Sequence, residues 1–207
     1  MVKNVRNRYL SVSEIRELLK EAKSYPFENV YLCIYLGILT AGRLRTVLNI
    51  RKSDIDIENN YIKLDNFKSS RNYRVSISEE ASNYFNKILV NYEDNEHIIR
   101  PTHFKDRKFP SQAMIEAPEA VFKLMDKLFN QKLNKQNNKE RNEVVNFHTL
   151  RRSVAINLAL SGVEIYKIMT FLNHSSVKQT QDYLNLEYLT ARSETDLFLK
   201  NIFTDLF

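Results

Sequence analysis

From Val30 to Leu39 the chain reads VYLCIYLGIL, ten residues without a charge. A surface helix keeps a polar face for water, and a segment that is apolar almost all the way round has none to offer. Ten residues also fall well short of the roughly 20 needed to span a bilayer as a helix. The run is therefore expected to be a helix of about Phe27 to Leu39, buried among other helices. Whatever else folds must cover it.

The neighbouring patterns supply that cover. SVSEIRELLKEA opens with a capping box, in which Ser11 accepts from the Glu14 N–H while Glu14 reaches back, and Leu10 with Ile15 can staple the turn. This predicts a first helix ending near Ser24, before Pro26. Helical spacing returns at about Glu79–Asn91 and Pro118–Leu133. It returns again at His148–Ser161, stopped by Gly162, then at Val163–Leu172, in a short helix through Tyr183, and at Leu189–Phe203. Two short β-like runs, Tyr61–Leu64 and Tyr73–Ile77, flank a polar turn and read as a hairpin with basic residues at its tip. HIIRPTHFKDRKFP and LNKQNNKERNE read as loops. The fold class is mainly α with a small antiparallel β-sheet (α+β), without an internal repeat or a clear linker.

Composition narrows the function. Of 207 residues 43% are hydrophobic, enough for a packed core. The one cysteine, Cys33, lies inside the apolar run, which excludes an internal disulfide and a cysteine-based metal site. MVKNVRNRYL carries charge but no apolar signal-type stretch, so a soluble, cytoplasmic protein is expected. The formal net charge is +6, and its distribution says more than its size. Lys3, Arg6 and Arg8 stand without an acid in the first ten residues. Lys63, Lys68, Arg71 and Arg74 face only Asp65 in 61–78. Residues 100–141 hold ten Lys or Arg against five Asp or Glu, while the last 24 are net acidic. Clustered cations are what contact with a phosphate backbone requires, although any one cluster could equally be a solvated face.

Three places could carry chemistry. In FHTLRRSVAINLALSG, His148 and Arg151 are three apart and share a helix face, with Val154 and Leu158 continuing the stripe inward. Arg43 follows Gly42, where a chain can turn sharply. The planar fork of an arginine suits two phosphate oxygens, and two such groups would offset the charge of a pentavalent phosphorus transition state. Alternatively Arg43 pairs with Asp54 or Asp56, and Arg151 is a surface residue. Lys68 on the hairpin could protonate a leaving oxygen. Lys63, Arg71 and Arg74 compete with it, and chemistry alone does not choose among them.

In order, the chain reads TAGRLRTVL with Arg43, KSSRNYRVSI with Lys68, HTLRR with His148 and Arg151, LNHSS with His174, and DY with Tyr183. This order resembles the tyrosine recombinase (integrase) family, from about Leu10 to Tyr183, and the spacing from Arg151 through His174 to Tyr183 is similar to that of its Xer branch. Five boxes in sequence, each on the expected helix or hairpin, are far more specific than any one of them. The frame VLNIRKSDID selects Arg43 over Arg45, and the VSI run selects Lys68 on the hairpin.

The resemblance implies the catalytic-domain fold of that family and assigns the roles. Tyr183 is the nucleophile, Arg43 and Arg151 cradle the scissile phosphate with the two histidines, His148 accepts a proton, His174 donates a hydrogen bond, and Lys68 protonates the departing 5′ oxygen. The product is a 3′-phosphotyrosine, so neither ATP, a metal nor a cofactor is needed. The sequence has no P-loop and no compact carboxylate cluster of the two-metal kind. The expected partner is double-stranded DNA, with self-association on it, a tetramer in the synaptic complex, and a nucleoid-associated location. The resemblance also implies a division into a basic lead-in (1–9), a catalytic core (10–183) and a C-terminal helix (184–207) that packs on its own domain or is exchanged between subunits. The N-terminal core-binding domain usual in the family is expected to be absent.

Three positions depart from the family pattern. Thr46 stands where an acid usually orients the first arginine, Asn173 replaces a glycine, and Arg152 replaces a common histidine. Two further readings share the motif: a type IB topoisomerase or telomere-resolving enzyme, and a DNA-binding derivative that does not cut.

Overall fold

The computed structural model describes residues 8–65, 72–100, 110–133, 140 and 142–184. The expected C-terminal helix, Lys68 and Arg71 lie outside the described residues. The chain divides into two compact units, 1–154 and 155–207.

The first unit is built on the apolar run. Helix α2 (Glu28–Thr40) buries Val30, Leu32, Cys33, Ile34, Leu36, Gly37 and Thr40, the nearly all-round burial its composition demanded. Helix α1 (Val12–Lys23) packs on it. The capping box is present: Glu14 N–H donates to Ser11 Oγ at 3.3 Å, and Ser11 N–H donates to Glu14 Oε2 at 2.8 Å. Helix α3 (Leu44–Leu48) follows at once. The small sheet has three antiparallel strands in the order β1 (Ile55–Asp56), β2 (Tyr61–Leu64), β3 (Tyr73–Ser76). The hairpin was expected; β1 was not, because two residues are too short to display alternation. Ile55, Ile62 and Val75 line up across the sheet and are buried, whereas Lys63 and Arg74 pair on the opposite face.

Helix α4 (Glu79–Ile88) starts at Ser78, whose Oγ accepts the Ala81 N–H at 3.3 Å, and continues as a tighter turn through Asn91. Helix α5 (Pro110–Met125) begins eight residues earlier than expected. Pro118 lies inside it rather than starting it, contrary to the usual preference for proline in a first turn. A wide π turn, Asp126–Asn130, extends it. There Asn130, 2% exposed, clamps the chain ahead: Val145 N–H donates to its Oδ1 at 2.8 Å and its Nδ2 donates to Val145 O at 2.9 Å. That clamp sets the entry to helix α6 (Phe147–Leu160). Phe147 then fills the notch left by Gly37, where an added Cβ would come within 2.6 Å of the ring.

The division into units falls inside α6. The second unit continues with α7 (Ile165–Phe171) packed on α8 (Val177–Leu184). Helix α6 stops at Gly162 in a Schellman turn, φ +80°, with Val163 N–H donating to Leu158 O at 3.1 Å and Gly162 N–H to Ala159 O at 3.0 Å. Among the described residues no helix is long and apolar enough to cross a membrane.

Candidate active site

In the first unit Arg151 is the organising residue. It sits on the first turns of α6 and is 1% exposed. A guanidinium is rarely buried unless partners orient it. Its Nη1 donates to the carbonyl of Ala41 at 2.8 Å, across 110 positions of sequence. That carbonyl is aimed by backbone geometry: Ala41 closes α2 in the left-handed region, φ 45° and ψ 29°. The sharp turn therefore falls on Ala41 and not on Gly42, as the sequence had led us to expect. Gly42 is needed for a different reason, since a Cβ there would lie 2.8 Å from Thr40 Oγ1 and 2.9 Å from Val47 Cγ2.

The second partner of Arg151 is Tyr73, on the inner face of β3, whose phenol hydrogen-bonds to the guanidinium. Burial pushes the Tyr73 hydroxyl above the ordinary phenol range, and the charges of Arg151 and Arg43 pull it back. The carbonyl and the phenol both orient the guanidinium. The sequence reading missed Tyr73. The signal was its place two residues before buried Val75, which puts it on the inward face of a strand.

Arg43 caps the start of α3 and is half-buried. Its alternative pairings do not form: Asp54 Oδ2 accepts the Arg51 N–H at 2.9 Å and Asp56 Oδ1 the Asn59 N–H at 2.9 Å. Thr46 ties α3 to the hairpin, its hydroxyl donating to Asp65 O at 3.3 Å. Among the described residues no acid takes over the orienting role. His148 is exposed at the start of α6. Its N–H donates to Asn146 Oδ1 at 2.9 Å, and Asn146 N–H donates to Thr149 Oγ1 at 3.0 Å, a reciprocal cap. Val154 and Leu158, expected to run inward from Arg151, are only half-buried. Arg152, Ser153, Ala155 and Ile156 are the buried residues instead.

In the second unit the LNHSS box is a pair of back-to-back helix ends. Helix α7 stops in a second Schellman turn, with Asn173 at φ 50°, Asn173 N–H donating to Thr170 O at 3.0 Å and His174 N–H to Met169 O at 2.9 Å. Glycine and asparagine are the residues that tolerate this conformation, so Asn173 replaces the family's glycine without breaking the turn. Two residues later Ser176 Oγ accepts the Gln179 N–H at 3.2 Å and caps α8. His174 is thereby fixed between a stop and a start. It is 9% exposed, and its ring meets that of Tyr183 edge-on, with centroids 5.4 Å apart. Its Nδ1 lies 3.0 Å from Thr180 Oγ1.

The structure thus gathers Arg43, Tyr73 and Arg151 in one unit and His174 with Tyr183 in the other. Among the described residues, no group of three or more His, Cys, Asp or Glu side chains could hold a metal ion. In the first unit, two arginines beside a buried phenol are suited to gripping an oxyanion.

Comparison with known proteins gives this arrangement a lineage. The pattern of the phage integrase family matches residues 8–189, and the chain belongs to that family. Tyrosine recombinase XerA of Thermococcus onnurineus is 26% identical over 189 residues, covering 89% of this chain and 61% of the relative. Tyrosine recombinase XerA of Saccharolobus solfataricus is 25% identical over 173 residues, covering 79% and 50%. The chain therefore spans between half and two thirds of the length of these relatives. Among solved structures, an XerA recombinase superposes with a TM-score of 0.67 at 22% identity, covering 92% of this chain and 65% of the other. The catalytic domain of bacteriophage HP1 integrase gives 0.59 at 20% identity, covering 86% of each. The fold is that of a tyrosine recombinase catalytic domain, as the sequence had implied.

Proposed function

We propose that this chain cuts and rejoins DNA strands through a 3′-phosphotyrosine at Tyr183. The observation that carries the proposal is the buried, backbone-oriented guanidinium of Arg151, with Arg43 and Tyr73 beside it. Such a group is pre-organised for a charge that grows during reaction, where removing a single donor typically costs about 10²–10³ in rate.

In the first step the Tyr183 oxygen attacks phosphorus. The bond from phosphorus to the 5′ oxygen breaks, and that oxygen leaves as a hydroxyl. A phenol has an ordinary pKa near ~10, so its proton must be taken up as the bond forms. His148, exposed at the start of α6, is the acceptor. Arg43 and Arg151 hold the non-bridging oxygens, His174 donates to one of them, and Lys68 gives the 5′ oxygen its proton. Attack by a 5′ hydroxyl on the phosphotyrosine reverses the step, so bond energy is conserved and neither ATP nor a metal is consumed.

The partner is double-stranded DNA. XerH, whose post-cleavage complex with a palindromic difH substrate has been solved, supports this, as does the Tn1549 transposon integrase in complex with a circular intermediate DNA. We further propose that copies assemble on DNA as a tetramer, with residues 184–207 linking neighbours. In this reading the protein acts at the nucleoid.

Plasmid relaxation in EDTA, with detergent trapping of covalent adducts, tests the reading. Wild type should relax DNA and form adducts, and Tyr183→Phe should do neither while still binding. Binding without relaxation or adducts by wild type, on duplexes and Holliday junctions alike, would overturn it in favour of a non-cutting binder.

A further inference from the structure

Two hydrogen bonds fasten the base of the hairpin to the elements that carry the arginines, one on each strand. On the first strand, the Thr46 hydroxyl donates to the carbonyl of Asp65, the residue after β2, at 3.3 Å. On the second, the phenol of Tyr73, the first residue of β3, bonds to the Arg151 guanidinium. Chemistry fixes both directions, because a carbonyl only accepts and a guanidinium only donates. A carboxylate at position 46 could not make the first bond, since an ionised acid has no proton to give. The fastened ends are otherwise apolar: Leu64 pairs with Tyr73 and Ile62 with Val75, and Leu64, Ile62, Val75 and Thr46 are all buried. Thr46 lies one turn after Arg43, which caps the same helix. Both strand ends are thus tied into the framework that holds Arg43 and Arg151.

We propose that Thr46 and Tyr73 are positioning residues that pin the two strand ends of the hairpin to the arginine cradle, so that Lys68, which lies between Asp65 and Tyr73 in the chain, is delivered to the departing 5′ oxygen. The delivery half of this rests on the strand-cutting reading; the pinning half does not. Pinning matters because a misplacement of about 1 Å at a reacting group can cost about a hundredfold in rate. It also predicts where a loss is felt. A slack hairpin leaves the grip on the non-bridging oxygens intact and starves only the leaving group of its proton.

The test uses the whole chain with Thr46→Val, which keeps the shape and loses the hydroxyl, Thr46→Ser as the rescue, Tyr73→Phe and Lys68→Ala. The probes are two duplexes carrying the position at which the trapped adduct maps on plasmid DNA. One has an ordinary phosphodiester there, and the other has sulfur in place of the bridging 5′ oxygen. A thiol ionises near pH ~8.5, so sulfur leaves without being given a proton. On the phosphodiester Thr46→Val should form adducts roughly fivefold more slowly, the effect of one lost hydrogen bond, and Thr46→Ser should recover. On the sulfur substrate Thr46→Val and Lys68→Ala should match wild type, and Tyr73→Phe should recover in part, because Arg151 also loses a partner. In a Lys68→Ala background Thr46→Val should change nothing further. Equal slowing on both substrates, or a further loss in the Lys68→Ala background, overturns the proposal. Amide hydrogen exchange without DNA reads the pinning alone: residues 62–64 and 73–75 should exchange roughly fivefold faster in Thr46→Val, with α2 unchanged. Unchanged exchange overturns the pinning. If wild type forms no adduct but exchange behaves as described, the pinning stands and the strand-cutting reading fails.

Discussion

Arg151 and His174 are both nearly buried and both precisely held, yet the chain holds them by opposite means. Arg151 depends on distance: its carbonyl partner is 110 positions away, and the next residue but one, Ser153, accepts the Leu10 N–H at 2.7 Å across 143 positions. His174 depends on its neighbours. The turn before it, the cap after it, the Thr180 hydroxyl and the Tyr183 ring fall between Met169 and Tyr183. A site of the first kind exists only when the whole unit is folded. A site of the second kind is written into fifteen consecutive residues, although an isolated piece of that length would be marginal in water.

Substitutions can break or sharpen this contrast. Arg151→Lys has the largest expected effect. A point charge cannot make the forked contacts, and adduct formation in the trapping assay should fall by about a thousandfold. Asn130→Ala comes next, because it leaves the N–H and carbonyl of Val145 buried and unpaired. It should cost about 2–4 kcal/mol in denaturant unfolding, and adduct formation should fail as the unit loosens. Asn173→Val should cost roughly 1–2 kcal/mol through the left-handed backbone, whereas Asn173→Gly should leave the melting temperature almost unchanged. Tyr73→Phe should lower adduct formation about tenfold without altering DNA affinity. The long-range site is sharpened if Asn130→Ala also disturbs Arg151 in ¹⁵N spectra of the arginine side chains while the His174 resonances stay in place.

The same contrast explains what could be read in advance. The capping box at Ser11, the all-round burial of α2, the strands of the hairpin and the Gly162 stop were all legible, because each is a local rule acting on a few adjacent residues. The helix ending near Leu172 and the short helix through Tyr183 were legible for the same reason. Strand β1 was not, because Ile55 and Asp56 have no pattern of their own and become a strand only beside β2. The start of α5 was placed eight residues late, where the helical spacing becomes regular, and the helix runs through Pro118. The left-handed residue before Arg43 was assigned to the glycine, whereas Gly42 answers to crowding by Val47 and Thr40. Tyr73 escaped notice because its partner, Arg151, is 78 positions further along, and sequence spacing is silent about such pairs.

Lys63 and Arg74 stand directly opposite each other on the outward face of β2 and β3, with the Arg74 guanidinium 4.5 Å over the Tyr61 ring. Like charges in that position weaken a strand pair by roughly 0.2–1 kcal/mol. Ionic strength screens them, with a Debye length of about 10 Å at 0.1 M. Added salt should therefore steady the strand pair. In that sense the pair is a counterion gauge: it is most comfortable in brine and least so in dilute buffer.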